Sequence, residues 1–544
     1  METRYHFKNE ATPKSHTSGK TIKKTKKMKT LLFNIALVLF AVSNVLSQTN
    51  VSGPYFTNTT WGISGSPYNV IGDVQIPAGV ILSIDPGCQI NFTGNYEILI
   101  KGTILANGTN LLPIQFIGSS TGISMLMFKS TNLTNCQLTN LEFTGPKNAI
   151  QLADEGEFNE DLIKNSGTLT ISNAIFTNTT VKTKGYQTTA SLVVDNTTIT
   201  GSTIIGVYPR SEPITIKNST LDNNTINSDA YNYGITMDSC LITNSSLLIG
   251  CCGANININQ SKITSSSIID GMGSPVTGPL IISNSELNNT PINLPTATVN
   301  ISNSVANTNS SSGIIFGNGV IECTKQTGSG TGTAFTITGY DGYNIGGSVS
   351  IINTTISQNS IGIKISNANT VSCDSSNFFN NATYNVENLS IKAITAKNNW
   401  WGTNVSAVIA STIFDYYDNI NFGIIDFSNN LGSIYNSSIC PDTLLLPTAI
   451  PFDDKNTITQ NMLDFDIYPN PATEWSFIKI QDEIKARQNA SLEIYTITGQ
   501  VFYYHLLNNQ KNSELLNLSS YPKGIYFVKI KNENYFRVKK LIVY

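Results

Sequence analysis

Three charged residues, Asp195, Lys217 and Asp238, stand 22 and 21 positions apart. Each fills the same slot of a recurring phrase, so a chain that climbs one rung per phrase lines them up with a rise of ~4.8 Å per step. Such a column suits two kinds of chemistry. A base in it takes the proton beside a carboxylate-bearing carbon, the opening step of a lyase acting on an acidic polysaccharide. Alternatively its charges act as polar hooks for a glycan. Tyr186 and Tyr208, 22 apart, and Arg210 and Tyr231, 21 apart, would then be neighbours along the axis and add aromatic faces. The plainer reading is a solvated ladder ordered so that unlike charges face each other.

Other chemistries fail on missing residues. The three histidines are His6, His16 and His505, all outside 48–462, which leaves the body without a Ser-His-Asp triad or a zinc site. The eight cysteines contain no C-x-x-C. Asp154, Glu155, Glu157, Glu160 and Asp161 form an acidic insertion that could offer Ca²⁺ its carboxylates. It lacks the alternating Asp of a calcium loop, so a solvated loop is expected and no cofactor is assigned. The insertion GYDGYNIGG at 339–347 projects aromatics that could touch a ligand. Trp400 and Trp401 are read as cap packing ahead of a sugar platform.

What must position these residues is a repeat: apolar, any, apolar, any, Asn-like, small polar. It reads ITIKNSTLDN from Ile214, ITMDSCLITN from Ile235, ININQSKITS from Ile256 and LIISNSELNN from Leu280. The Asn-like slot falls at 173, 196, 218, 239, 260, 284 and 303, in steps of 23, 22, 21, 21, 24 and 19. A period near 22 calls for a solenoid. Leucine-rich repeats need a helical second half, and Ser, Thr, Asn and Gly there are poor helix formers. Each repeat is therefore predicted to be a coil of two or three short strands, stacked in parallel on the next. Asn tolerates the left-handed conformation at each bend, and stacked amides would make an Asn ladder up the coil. Alternate apolar residues fill the interior. Cys136 and Cys373 fall in apolar slots and are expected in the core; a disulfide involving Cys440 stays open.

The chain has 544 residues, 40% apolar, 13% charged, with a formal charge of -3. Few charges and no basic bias exclude a nucleic-acid partner. The ends read as addresses. The basic run Lys23-Lys24-Thr25-Lys26-Lys27, the apolar stretch from Leu31 to Val42 and Val45-Leu46-Ser47 form a signal peptide, with the start at Met1 or Met28 and the mature chain at Gln48. The apolar run is too short for a transmembrane span. Four segments follow: 1–47 extension and signal peptide, 48–440 solenoid with end caps, 441–462 linker, and 463–544 a small β-sandwich.

Two stretches carry resemblances. Residues 62–118, with turns at Pro77-Ala78-Gly79 and Asp85-Pro86-Gly87, resemble the opening coils of secreted bacterial right-handed parallel β-helix proteins. Asn398-Asn399-Trp400-Trp401-Gly402 and the segments around Ile413 and Gly423 resemble their closing coils. The resemblance implies an all-β, right-handed parallel β-helix and leaves function open, because that fold hosts lyases, hydrolases, adhesins and stalks. The C-terminal segment resembles the type A sorting domain of the Bacteroidetes type IX secretion system. It does so through Tyr468-Pro469-Asn470-Pro471, Gly499, Gly524-Ile525-Tyr526 and Lys540-Leu541-Ile542-Val543. That implies recognition by the type IX machinery, passage across both membranes and a cell-surface or extracellular destination. Two functions are carried forward. One is a non-catalytic surface protein that binds, adheres or serves as structure, with glycans as partners. The other is a polysaccharide lyase or glycoside hydrolase using Asp195, Lys217 and Asp238.

Overall fold

The computed structural model describes residues 48–119, 124–153, 165–184, 189–206, 213–228, 234–250, 255–271, 278–308, 313–339, 347–368, 370–438, 440, 465–480, 491–496, 501–506, 513–531 and 536–544. From Thr49 to Asp426 the chain forms one parallel β-solenoid of about 14 turns with a period of about 23 residues. A typical coil has three short strands, such as Ile214–Lys217, Thr220–Asp222 and Thr225–Ser228. Each pairs in register with its counterpart one coil on. Leu192 lies opposite Ile214, Ile214 opposite Ile235, and Ile235 opposite Ile256. Alternation does the sorting: Ile214, Ile216, Ile235, Met237, Ile256 and Ile258 are all buried, and each contributes roughly 1.5–3 kcal/mol by leaving water. Aromatic residues stack in the same way, Phe116 on Phe143 at 4.9 Å and Phe143 on Phe176 at 5.0 Å.

The bends match the expected conformation. Asn173, Asn196, Asn218, Ser239, Gln260, Asn284 and Asn303 all have φ between 47° and 55°. A second bend repeats it at Asn178, Asn223, Asn244, Ser265 and Asn289. The continuous Asn ladder does not form. Asn196 Nδ2 donates to Asn173 Oδ1 at 2.6 Å, but Asn218 Nδ2 turns to Asp195 Oδ1 at 2.9 Å and Asn284 Nδ2 to Asn259 Oδ1 at 2.9 Å. Ser239 and Gln260 break the run of asparagines, and a carboxylate is the stronger acceptor for an N–H.

The ladder that does run lies inside, at the small polar slot after the bend. Thr197 N–H donates to Ser219 Oγ (3.1 Å), Cys240 N–H to Ser261 Oγ (3.0 Å), Ser261 N–H to Ser285 Oγ (3.1 Å) and Ser285 N–H to Ser304 Oγ (3.2 Å). Each hydroxyl then donates to the carbonyl two residues earlier in its own coil, as Ser261 does to Asn259 at 2.7 Å. The second bend has a similar column through Ser202, Asn224, Ser245 and Ser266.

The far end is closed by packing. Trp401 is buried against Phe378, with ring centres 4.9 Å apart, which makes it cap core and removes it as a sugar platform. The helix Ser406–Ser411 seats Ile409 in the interior. The chain then runs back along the coils. Tyr435 exchanges two hydrogen bonds with the Asn377 side chain, and Cys440 is disulfide-bonded to Cys323, 117 residues earlier. Cys136 and Cys373 are buried free thiols, as expected. Among the described residues no helix is long and apolar enough to cross a membrane.

The C-terminal segment, taken by itself, has a three-stranded antiparallel sheet (Phe465–Tyr468, Trp475–Ile480, Ser513–Asn517). A four-stranded one is made of Val501–Leu506, Ser491–Thr496, Gly524–Lys531 and Phe536–Val543. Phe465, Ile478, Leu492, Ile494, Val528, Ile530 and Leu541 share one core. The first and fifth strands in chain order are Phe465–Tyr468 and Ser513–Asn517. Both are short and carry acidic residues.

Ser261→Ala removes the acceptor of a buried N–H and should lower stability by about 1–3 kcal/mol. Chemical denaturation of the full chain measures this; an unchanged midpoint would mean that the interior hydroxyl column is dispensable.

Candidate functional site

Asp195, Lys217 and Asp238 end the first strand of three successive coils. Register places Asp195 opposite Lys217 and Lys217 opposite Asp238. The column is real, and its groups are engaged. Lys217 Nζ lies 3.3 Å from Asp195 Oδ2, while Asp195 Oδ1 accepts from Asn218 Nδ2 at 2.9 Å. Asp238 Oδ1 accepts from Asn259 Nδ2 at 2.7 Å. The Lys217 and Asp195 side chains keep 41% and 27% of their surface in water, so their attraction is screened and worth no more than about 1 kcal/mol. The same device recurs elsewhere on the solenoid. Lys262 meets Glu286 at 3.3 Å and Lys364 meets Glu387 at 2.9 Å, each across one coil step. A general base needs a free lone pair aimed at substrate. Both Asp195 oxygens are occupied in coil-to-coil bonds.

Tyr186, Tyr208, Arg210 and Tyr231 lie outside the described residues, as do the acidic run from Asp154 to Asp161 and residues 340–346 of the second insertion. Of the solenoid candidates among the described residues, the structure brings together the charged triplet. Among the described residues no group of three or more His, Cys, Asp or Glu side chains could hold a metal ion. Burial pushes the Cys240 and Cys373 thiols up to about 12, which keeps them protonated and unreactive.

The sorting-motif residues form a second constellation. The segment after Tyr468 crosses to the final strand. Asn470 Nδ2 donates to the Lys540 carbonyl at 2.6 Å, and Asn470 Oδ1 accepts from Ile542 N–H at 2.9 Å. Ala472 N–H donates to the Ile542 carbonyl, and Tyr544 N–H donates to the Ala472 carbonyl, both at 2.9 Å. Ser476 Oγ donates to the Pro469 carbonyl at 2.9 Å, and Lys539 Nζ reaches Asp466 Oδ1 at 3.2 Å. The opening motif and the closing Lys540–Val543 motif are thus two sides of one joint. Only an amide offers a donor and an acceptor in the fork that Asn470 uses. Pro471, which has no N–H, sits beside that fork. Gly524 begins the strand paired with the last one, opposite Val543; Gly499 is outside the described residues. This joint was invisible in the sequence, because its two halves are separated by about 70 residues.

Two outcomes follow. Lys217→Ala should change stability by less than about 1 kcal/mol, measured by denaturation; a larger loss would show the ion pair to be structural. Asn470→Ala should remove two hydrogen bonds, about 1–2 kcal/mol, and reduce the exported fraction measured by surface labelling; full export would separate the joint from sorting.

Residues 466–544 match the family model of the secretion system C-terminal sorting domain. No curated protein matches the chain. Among solved structures, the catalytic unit of a thermostable alpha-1,3-glucanase from Streptomyces thermodiastaticus is similar at 11% identity and a TM-score of 0.29, over 71% of this chain; the chain spans 64% of that unit. Pectate lyase Pel9A is similar at 14% identity and a TM-score of 0.17, over 66% of this chain and 71% of the lyase. A tailspike of E. coli bacteriophage HK620, in complex with a pentasaccharide, is similar at 10% identity and a TM-score of 0.20, over 90% and 86%. Behind its parallel solenoid the chain carries a type IX secretion sorting domain, and that domain marks it for export to the cell surface or beyond.

Proposed function

We propose that the exported solenoid is a non-catalytic binding or adhesion protein whose ligands are glycans. The observation that carries this reading is the use of its charged column: Asp195, Lys217 and Asp238 are joined to each other or to Asn218 and Asn259 in the bonds that stack the coils. A lyase needs the opposite, a base left free beside its substrate.

What the solenoid offers outward is repetition. The second strand of each coil turns Thr177, Thr200, Asp222, Thr243, Thr264, Asn288, Asn307 and Thr327 to one side, in register from coil to coil. All are half-buried. A row of hydroxyls and amides spaced ~4.8 Å apart offers weak contacts in series, and a repeating polymer held at several points gains avidity that no single contact supplies. Tyr186, Tyr208, Arg210 and Tyr231 supply the aromatic and cationic part of the same proposal, at positions 22 and 21 residues apart.

A glycan array probed with the mature chain, together with an assay for unsaturated products on acidic polysaccharides, tests the reading. Binding without product is expected. Replacing Thr200, Thr243 and Thr264 together by Ala should weaken binding about tenfold or more. Product formation that Lys217→Ala abolishes would establish the lyase instead.

A further inference from the structure

Lys147 is a charged residue buried completely inside the solenoid. It follows the strand Leu141–Thr144, and its side chain runs back past Gly118 of the preceding coil. A Cβ at Gly118 would stand 2.4 Å from Lys147 Cβ and 2.7 Å from Met125 Cε, so glycine is what leaves the passage open. The side chain ends one coil further back. Nζ lies 3.4 Å from Asn95 Oδ1 and 5.8 Å from the centre of the buried Phe92 ring. Asn95 is its one hydrogen-bond partner among the described residues, and none of their carboxylates comes within 4.0 Å of it. An ammonium with three donors seldom settles for so little. Glu97, two residues beyond Asn95, is in electrostatic reach of Lys147, and Asp73 Oδ1 accepts the Glu97 N–H at 3.1 Å.

We propose that Lys147 and Asn95 join in an intramolecular isopeptide bond, with the Glu97 carboxyl carrying the proton. A buried amine, an exposed side-chain amide in contact with it and a half-buried neighbouring carboxyl are the parts that such a condensation needs. Burial pushes the Lys147 amine below its usual range, which frees the lone pair. Burial, and after it the Asp73 carboxylate, push the Glu97 carboxyl up against the opposing pull of Lys129 and Lys147, the direction that suits a proton carrier. The Nζ lone pair adds to Asn95 Cγ and forms the new C–N bond. A proton leaves Nζ and, relayed by the Glu97 carboxyl, reaches Nδ2. The Cγ–Nδ2 bond then breaks and ammonia departs. An amine and a primary amide become one secondary amide, with no oxidant, reductant or cofactor and with Glu97 returned to its starting state. The product ties together strands two coil steps apart, since Gln89–Phe92 pairs with Ile114–Gly118 and that strand with Leu141–Thr144.

Peptide mapping of the exported full chain, reduced and digested with trypsin, reads this directly. The expected product is a branched peptide joining the fragment that ends at Lys101 to one uncut at Lys147, lighter than their sum by one ammonia, about 17 Da. Glu97→Gln should return linear fragments from a protein whose circular dichroism still reports a β-solenoid. A wild-type digest cut after Lys147, with Asn95 intact in a linear peptide, would overturn the proposal. Wild-type linkage persisting in Glu97→Gln would overturn the role given to Glu97.

Discussion

A bend in a narrow solenoid turns a backbone N–H inward, where no water can meet it. That buried donor is the constraint on which the rest of the structure depends, because leaving it unpaired costs about 1–3 kcal/mol at every coil. The molecule answers with a hydroxyl or amide supplied by the next coil, through Ser219, Ser261, Ser285 and Ser304 in one column and Ser202, Asn224 and Ser245 in the other. Because each coil completes its neighbour's hydrogen bonds, no coil is satisfied alone. Stability then accrues by nearest-neighbour contacts, as in other repeat architectures.

The same economy shapes what faces outward. Charges on the first and second strands pair along the axis, Asp195 with Lys217 and Lys262 with Glu286, so they serve stacking before anything else. The chemistry left for a partner is repetitive and mild. In the C-terminal domain a different logic holds. There the Asn470 side chain bridges the start of the domain to its last strand through Lys540 and Ile542. Motif residues that look scattered along the sequence meet in space at one joint.

Much of this was legible in the residues. The spacing of Asn173, Asn196 and Asn218 gave the period, the parallel stacking and the left-handed bends, because only a few residue types tolerate that conformation and the phrase recurs in step. The neighbouring small polar slot was equally visible, yet its role was not, since a serine in a strand-rich sequence reads as surface. The same blindness applied to the amides. Sequence pattern assigns Asn218 to stack on Asn196, whereas the stronger acceptor, Asp195, sits one position earlier in the preceding coil. The register of the charged triplet could be computed from spacing; the occupation of its oxygens could not, because it depends on rotamers chosen by neighbours. The pairing of Cys440 with Cys323 was likewise hidden. Cys323 takes the bend slot of its coil, with φ of 48°, unlike the buried Cys136 and Cys373.

That disulfide decides where the body of the protein takes up load. Parallel coils are weakest to peeling, in which a free end lifts off rung by rung and each row of bonds bears the whole force in turn. Here the chain leaving the last coils doubles back, is clipped by Asn377 and is fastened at Cys323. Tension arriving from residues beyond Cys440 therefore enters the stack several rungs in from its end, as shear shared across many strands. For a molecule exported to the outside of a cell, that is the difference between unzipping and holding.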